Sequence, residues 1–371
     1  MANIRGAINK TSGFSLIELM IALTIGLILL AGLTLIFVNS SEANRELQKT
    51  AQQIENGRYA IDIISQDLRH AGFYGHLHEM PAAPAALPDP CEIASATNLH
   101  DALAYPVQGY RAADLATAAD ITASTCDDQL LLTTANLKPG SDVLVIRRAN
   151  TSALATTDVA ALDEVYIQAT GTQAAIRFGN GAAIGTDNNT NNGSGGASTP
   201  DFVLNNGTTP APIRKFHVHV YFVAPCSFGT GANGICQAGD DAIPTLKRLE
   251  LVRDQVDGVR KMKLVPLVEG IEYLKLEYGI DNVPNAADPA TGLMGDATVD
   301  AITATPADWT TVIAAKVYVL ARNTEPTAGF IDDKTYTLGT VAVPAFNNNF
   351  KRHVYTTEVH LMNPAGRREI P

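Results

Sequence analysis

Apolar residues follow one another almost without interruption from Phe14 to Val38. This segment holds no Lys, Arg, Asp, His or Pro, and Glu18 is its one ionisable side chain. At a rise of about 1.5 Å per residue, a helix of this length spans about 37 Å, enough to cross the hydrocarbon core of a bilayer. The pattern predicts a membrane-spanning helix with a single carboxylate near its start, and a carboxylate in that position usually marks function.

Beyond Val38 the same helix is predicted to continue in amphipathic form. No proline occurs before Pro81, and Gly72 and Gly75 supply stop signals. Gly57 is expected to weaken the helix, because Gly is about 1 kcal/mol worse than Ala in a helix interior. Apolar residues recur at multiples of three and four, which predicts one buried stripe: Leu47, Ala51, Ile54, Ile61 and Leu68.

Short β-type segments follow a Pro-rich connector that begins at Pro81. They predict an inserted β-rich lobe with strands at 129–134, 142–148, 164–169 and 175–178. Between Gly179 and Gly207 the sequence is rich in Asn, Gly, Thr and Ser and lacks apolar periodicity, which predicts a loop.

Longer strands are predicted after residue 213. Phe216, Val218, Val220 and Phe222 alternate with His217, His219 and Tyr221, the two-residue period of a half-buried strand. Its expected antiparallel partners are 245–253, 263–268, 271–278, 315–321 and 353–362. Because the amphipathic half of the long helix offers a stripe that such a sheet would cover, the predicted fold class is α+β.

Charge and cysteine content place most of the chain outside the cytoplasm. Arg5 and Lys10 precede the apolar segment and Glu42 is the first charge after it, so the positive-inside rule puts the N-terminus in the cytoplasm. The formal net charge is −11, which argues against a nucleic-acid partner. The four cysteines allow three pairings; Cys91–Cys126 and Cys226–Cys236 are favoured because each closes the shorter loop, and an oxidising periplasm permits them.

The N-terminal residues resemble type IV pilins and type II secretion pseudopilins. In this family a short basic leader ends in Gly, followed by Phe and, four residues later, Glu; here these are Gly13, Phe14 and Glu18. The resemblance implies that a prepilin peptidase cuts between Gly13 and Phe14, that Phe14 becomes an N-methylated N-terminus, and that the helix is kept. Glu18 would then neutralise the terminal amine of a neighbouring subunit when helices bundle in a fibre.

Further segments resemble the PilW-type minor pilins specifically. The similarity covers the first 75 residues and about 213–367, including Pro225-Cys226 and the closing segment 356–363. It implies a pilin-like fold and a minor pilin that primes pilus assembly. The implied partners are other minor pilins, a tip adhesin, the prepilin peptidase, the inner membrane and the assembly platform, and the implied localisation is the inner membrane with a periplasmic C-terminal domain, then the pilus.

Domain limits follow from the pattern and the resemblance together. They are a leader (1–13), a transmembrane half-helix (14–38), an amphipathic half-helix (39–75), the β-rich inserted lobe with loops (76–212) and a pilin-like antiparallel sheet region (213–371). Two alternative functions stay open: a J-type type II secretion pseudopilin, and a pilus-tip adhesin or ligand-binding module with residues 91–212 as its binding surface.

Catalytic and cofactor motifs are absent from the sequence. It contains no nucleophile elbow, Walker A loop, HExxH or dinucleotide fingerprint, so neither catalysis nor a cofactor is expected. His217 and His219 share a strand face without an identifiable third metal ligand, so a solvated face is the favoured interpretation, as it is for His76 and His78. The acidic segment 281–300 matches no EF-hand spacing, and a solvated loop is favoured over a Ca²⁺ site.

Overall fold

The structure, a computed structural model, describes residues 13, 15–91, 93–121, 131–154, 164–179, 204, 211–253, 258, 260–281 and 296–368. One compact unit ends at Ala51 and a second begins at Gln52. Helix α1 (Leu16–His70) is continuous over 55 residues, about 82 Å at the usual helical rise. The predicted long N-terminal helix is thereby confirmed, and it ends two residues before the predicted stop at Gly72.

The second unit combines the end of α1 with β-strands and two short helices, α2 (Ala96–Asp101) and α3 (Met362–Gly366). The strands in its described part are β1 (Val107–Tyr110), β2 (Val143–Ala149), β3 (Val165–Ala169), β4 (Ala174–Phe178), β5 (Ile213–Ala224), β6 (Thr245–Arg253), β7 (Arg260–Glu269), β8 (Ile271–Ile280), β9 (Ala301–Thr303), β10 (Val312–Arg322), β11 (Tyr336–Leu338), β12 (Val341–Val343) and β13 (Arg352–His360).

These strands form three antiparallel sheets. A seven-stranded sheet has the order β1-β2-β5-β3-β4, with β6 pairing with β5 and β7 with β6. A four-stranded sheet has the order β13-β10-β8-β9, and β11 pairs with β12. Every pairing among the described strands is antiparallel. The α+β arrangement predicted from the sequence is therefore confirmed.

Strands from the predicted inserted lobe share a sheet with the later strands. Both β2 and β3 pair directly with β5. Strand β5 is buried on both faces over its second half, so its backbone groups need strand partners along both edges. The boundary at residue 212 therefore does not separate two sheets, and the proposed domain limits remain predictions.

The segment predicted as a strand at 129–134 is not a strand where it is described. Residues 131–134 form turns, and Leu131 and Leu132 are buried in the hydrophobic cluster on one face of the seven-stranded sheet. The Asn136 side-chain amide donates to the Leu131 carbonyl at 2.5 Å. Leu131 and Leu132 thus pack on the face of a sheet rather than forming a strand of it. The Asn136 side chain satisfies the Leu131 carbonyl, which has no strand partner.

Helix α1 covers the other face of the seven-stranded sheet together with the four-stranded sheet. Ala60, Ile64 and Leu68 are fully buried in a cluster that includes Leu144 of β2 and Val317 of β10. The Gln53 side-chain amide donates to the carbonyls of Ala321 and Lys351, at 3.0 Å each. One helix face is thus fixed to both sheets.

The buried face of α1 differs from the predicted stripe in its first half. Leu47 and Ile54 are exposed, and Ala51 is exposed as well. The rest of the second unit contacts this part of the helix through Gln53 and Gly57 instead. These two residues lie one turn apart, on the face that continues to Ala60. Hydrophobic periodicity does not predict that these two residues are buried, because Gln53 is polar and Gly57 has no side chain.

Gly57 allows a close contact with strand β13. A Cβ atom at this position would overlap the ring of Tyr355. The main role of Gly57 is therefore packing rather than weakening of the helix, because any side chain at this position would push α1 away from the Tyr355 ring.

Candidate assembly site

The first turns of α1 carry a continuous exposed apolar surface. Every described side chain from Ser15 to Ser40 is exposed, and Gly13 before them is exposed too. The large apolar side chains of this stretch are between 44 % exposed at Val38 and 77 % exposed at Leu16. A surface of this kind marks contact with a membrane or with other protein chains. By length and composition α1 is able to cross a membrane, which fits a membrane-anchored protein.

Glu18 closes the N-terminus of this helix. Its Oε2 accepts a hydrogen bond from the Ser15 backbone N–H at 3.0 Å. Because Leu16 is the first helical residue, Ser15 is the N-cap and Glu18 the third helical position, which is the capping-box arrangement. The second oxygen, Oε1, has no hydrogen-bond donor among the described residues. The carboxylate therefore keeps one side available.

The remaining polar side chains of this apolar stretch are satisfied inside the helix. Thr24 Oγ1 donates to the Ile21 carbonyl at 2.9 Å, and Thr34 Oγ1 donates to the Leu30 carbonyl at 2.8 Å. In hydrocarbon every unpaired polar group is costly. Among the polar side-chain atoms between Leu16 and Val38, Glu18 Oε1 is thus the one without a hydrogen-bond partner in the described part of the chain. Phe14, the other residue predicted to take part in assembly, lies outside the described residues.

A buried polar cluster ties the end of α1 to the seven-stranded sheet. Asp67 lies on the helix face that carries Ile64 and Leu68, and its carboxylate has three donors. Arg148 Nε lies 2.6 Å from Oδ1, while His219 Nδ1 and the Tyr221 hydroxyl lie 2.6 and 2.9 Å from Oδ2. The side chain of Asp67 is 5 % exposed. A carboxylate satisfied in this way fixes the register of the helix against β2 and β5.

The electrostatics of this cluster keep Asp67 ionised. Burial by itself raises the pKa of the Asp67 carboxyl, but the hydrogen bond and charge of His219 and the charge of Arg148 outweigh it and hold that pKa well below its usual range. Burial, with the Asp67 carboxylate beside it, raises the pKa of the Tyr221 hydroxyl. Tyr221 therefore donates to Asp67 as a neutral phenol at physiological pH.

The two strand histidines differ in their surroundings. His219 is 6 % exposed and bound to Asp67, so the predicted solvated face is wrong at this position. His217 is half-buried, and burial together with the charge of His219 lowers the pKa of His217 to about 3. The reason is that α1 covers this face of β5, which an alternating strand pattern cannot reveal.

The other candidate ligand residues are dispersed. In the described part of the chain, no group of three or more His, Cys, Asp or Glu side chains is placed to hold a metal ion. His76 and His78 are exposed. In the acidic segment, residues 282–295 lie outside the described part, and Asp281 is fully buried against Arg368 Nε at 3.0 Å.

The predicted Cys226–Cys236 disulfide is present, with a Cα–Cα distance of 5.7 Å. Cys91 is also in a disulfide, and Cys126, its predicted partner, lies outside the described residues. The buried ammonium of Lys247 lies 3.8 Å from Cys226 Sγ and 3.7 Å from Cys236 Sγ. The bridge closes the loop between β5 and β6, which carries the exposed ring of Phe228.

Two features of the sequence indicate polar interactions that hydrophobic periodicity does not reveal. The Ser15-x-x-Glu18 spacing directly before an apolar stretch is a capping-box signature. Asp67 falls three residues after Ile64, on the buried helix face, and a charge in such a position requires partners. Nothing in the sequence indicates that Arg148 and His219 supply them, because they come from strands about 80 and 150 residues further along.

Comparison with family models gives two matches. Residues 221–363 match the family described as Type IV Pilus-assembly protein W. Residues 8–34 match the prokaryotic N-terminal methylation motif, which contains Gly13, Phe14 and Glu18. Searches of curated proteins and of solved structures return no match. The first match begins in the last third of β5 and continues through β13, so it includes strands of both large sheets. The second covers the exposed apolar start of α1.

Proposed function

We propose that this chain, which matches the PilW family model and the N-terminal methylation motif, is a PilW-type minor pilin that helps to initiate type IV pilus assembly. In this proposal it acts within a membrane-anchored complex of minor pilins that remains at the fibre tip. Domains of this family are structural rather than enzymatic. The observation that carries the proposal is Glu18, whose Oε1 has no donor among the described residues in an apolar helix segment where the side chains of Thr24 and Thr34 are hydrogen-bonded.

Glu18 is the proposed assembly residue. After cleavage between Gly13 and Phe14, the new N-terminal amine of one subunit is a positive charge in apolar surroundings. The Glu18 carboxylate of the neighbouring subunit offers Oε1 to that amine while Oε2 keeps the Ser15 backbone N–H. Each charge alone is unfavourable in hydrocarbon, so pairing them favours one helix register over others.

The proposed location and partners follow from the same segment. The basic leader stays in the cytoplasm, α1 anchors the chain in the inner membrane, and the C-terminal domain lies in the periplasm until the subunit enters the pilus. The prepilin peptidase removes residues 1–13 and Phe14 is methylated. Other minor pilins, a tip adhesin and the assembly platform are the proposed partners.

A complementation experiment tests the role of Glu18. Surface pili and twitching are measured in a deletion strain that carries the wild-type chain, Glu18→Gln or Glu18→Ala. The Gln variant keeps a side-chain oxygen for the helix cap and removes the charge, so failure of both variants to restore pili supports charge pairing. Full restoration by Glu18→Gln contradicts it. Secretion of hydrolases is scored in the same strains, because its loss with normal twitching would favour a type II secretion pseudopilin.

Processing is tested separately by mass spectrometry of the membrane-bound protein. The expected mature chain begins at N-methylated Phe14. A Gly13→Leu variant should keep its leader, because a large side chain replaces the small residue at the cut. A mature chain that begins beyond Val38 would contradict the retained anchor.

A further inference from the structure

A polar cavity opens beside the last two turns of α1, within the second unit. Its volume is about 260 Å³, several times what one water molecule requires. The side chains around it come from α1, from β5 and β6 and from the end of β2, and they include Gln66, Arg148, Thr151 and Arg248. The Asp67 cluster forms one part of its wall.

The acceptor groups of this wall are already engaged. The Asp67 carboxylate accepts from Arg148, His219 and Tyr221. The Tyr221 oxygen in turn accepts from Arg248 Nη1 at 3.3 Å, and the Glu250 carboxylate is paired with Arg248. A cation in the cavity would therefore have to displace donors from these carboxylates, which argues against a cationic ligand.

Donor groups, by contrast, remain in excess. Arg148 uses Nε for Asp67, and its two terminal amino groups have no partner among the described residues. The Arg248 guanidinium lines the same cavity, with Nη1 on the Tyr221 oxygen and Nη2 on the Glu250 carboxylate. Arginine recognises planar and tetrahedral oxyanions through paired N–H groups. The unused donors of Arg148 thus face a cavity that the Arg248 guanidinium also lines.

We propose that this cavity binds an oxyanion, a carboxylate or phosphate group, through Arg148 and Arg248. The site goes beyond a role in assembly, since it lies in the second unit and uses none of the residues of the apolar segment. The end of α1 carries a partial negative charge that opposes an anion. Because Asp67 and Glu250 balance the charges of Arg148 and Arg248, the proposed recognition depends on the unused N–H donors rather than on net charge. The oxyanion is either a free ion or an acidic side chain of another protein.

Isothermal titration of the full-length chain in detergent tests the proposal and separates the two sources. The probes are inorganic phosphate and N-acetylglutamate amide, each titrated at constant ionic strength. Binding of phosphate alone indicates a free ion, and binding of the glutamate derivative alone or of both indicates that an acidic side chain fits. If neither phosphate nor N-acetylglutamate amide binds, the proposal is overturned.

Variants decide whether the bound anion occupies this cavity. Arg248→Gln should weaken binding at least tenfold. Gln66 is exposed and its amide contacts only Asp62 among the described residues, so its substitution leaves the buried cluster intact. Gln66→Glu should weaken binding and Gln66→Lys should strengthen it. Arg69→Gln, an exposed neighbour on the same helix, is the matched control and should bind as wild type does. Equal affinity in all five proteins would overturn the proposal.

Discussion

At the scale of single residues, Asp67 determines how α1 is held. It is the point at which the helix, β2 and β5 meet through hydrogen bonds rather than apolar contacts. Removing one member of a buried charged group is costly because the partner charge is left uncompensated. The stability of the second unit should therefore depend on this one carboxylate more than on any exposed acidic residue of the helix.

Replacing Asp67 with Asn should lower the free energy of unfolding by about 3 kcal/mol, because Arg148 loses its counter-charge inside the protein. Urea denaturation of the full-length chain in detergent measures the loss. Asp62→Asn is the matched control, since Asp62 is exposed on the same helix and bonds only Gln66 among the described residues; a change within about 0.5 kcal/mol is expected there. Equal effects of the two substitutions would contradict the importance assigned to the cluster.

The Asp67 carboxylate should also make the free energy of unfolding depend on pH in the acidic range. The pKa of Asp67 is lower in the folded chain than in the unfolded chain. Its contribution is therefore complete above about pH 4, where the unfolded carboxyl is also ionised, and is lost as the pH falls through the folded pKa. Asp67→Asn should lose less stability than wild type between pH 5 and pH 3. An equal loss of stability in wild type and Asp67→Asn would show that other carboxylates determine the stability at low pH.

The disulfide between Cys226 and Cys236 restrains a short loop. The two residues are 10 apart, and loop-closure entropy for that length corresponds to about 2.7 kcal/mol. The Cys226→Ser/Cys236→Ser variant should unfold at a correspondingly lower urea concentration. Ser227→Ala leaves the bridge intact and removes one hydroxyl bond to Asp241, so its smaller effect serves as the comparison. A double variant as stable as wild type would show that the disulfide does not contribute to stability.

At the scale of elements, α1 has two halves with different requirements. The half up to Ser40 must be covered by something outside the described chain, while the half after Gln53 is covered by both large sheets. Gly57 belongs to the second half and brings the helix close to β13. The distance between a helix and an edge strand is thus set by the absence of one side chain.

Gly57→Ala should destabilise the chain by about 1 to 3 kcal/mol, because the added methyl group overlaps the Tyr355 ring. In a Tyr355→Ala background the same substitution should become neutral or stabilising by up to about 1 kcal/mol, since Ala is the better helix former. A double-mutant cycle on urea denaturation gives the coupling energy. An equal cost of Gly57→Ala in both backgrounds would place the effect in the helix itself.

At the scale of the whole molecule, the seven-stranded sheet combines strands from both sides of the boundary predicted at residue 212. Strands β1 to β4 come from the region predicted as a lobe, whereas β6, β7 and the last four residues of β5 lie in the region matched by the PilW family model. Both faces of β5 are buried: the segment with Leu131 and Leu132 packs on one face, and α1 with the four-stranded sheet packs on the other. A binding role for residues 91–212 therefore cannot be tested by simply removing them.

Deleting residues 76–212 should yield an insoluble or proteolysed protein rather than a piliated strain that fails to attach, because β5 would lose β2 and β3 and one face of the sheet would lose its cover. Limited proteolysis and immunoblotting of membranes measure this outcome. Deletion of residues 186–200 is the control, because the sequence there predicts a loop, and the chain should stay intact. A stable chain after the larger deletion would show that the lobe is an independent addition.

The sequence by itself determined the long helix, the processing motif, the α+β class, most strand positions and the Cys226–Cys236 bridge. These depend on local periodicity, on short motifs and on loop length, all of which can be read along the chain. The tertiary structure alone decided that α1 buries Gln53, Gly57 and Asp67, that His219 is enclosed and that β2 and β3 join β5. Each of these depends on groups brought together from distant parts of the sequence, and neither hydrophobic pattern nor spacing encodes which distant groups meet.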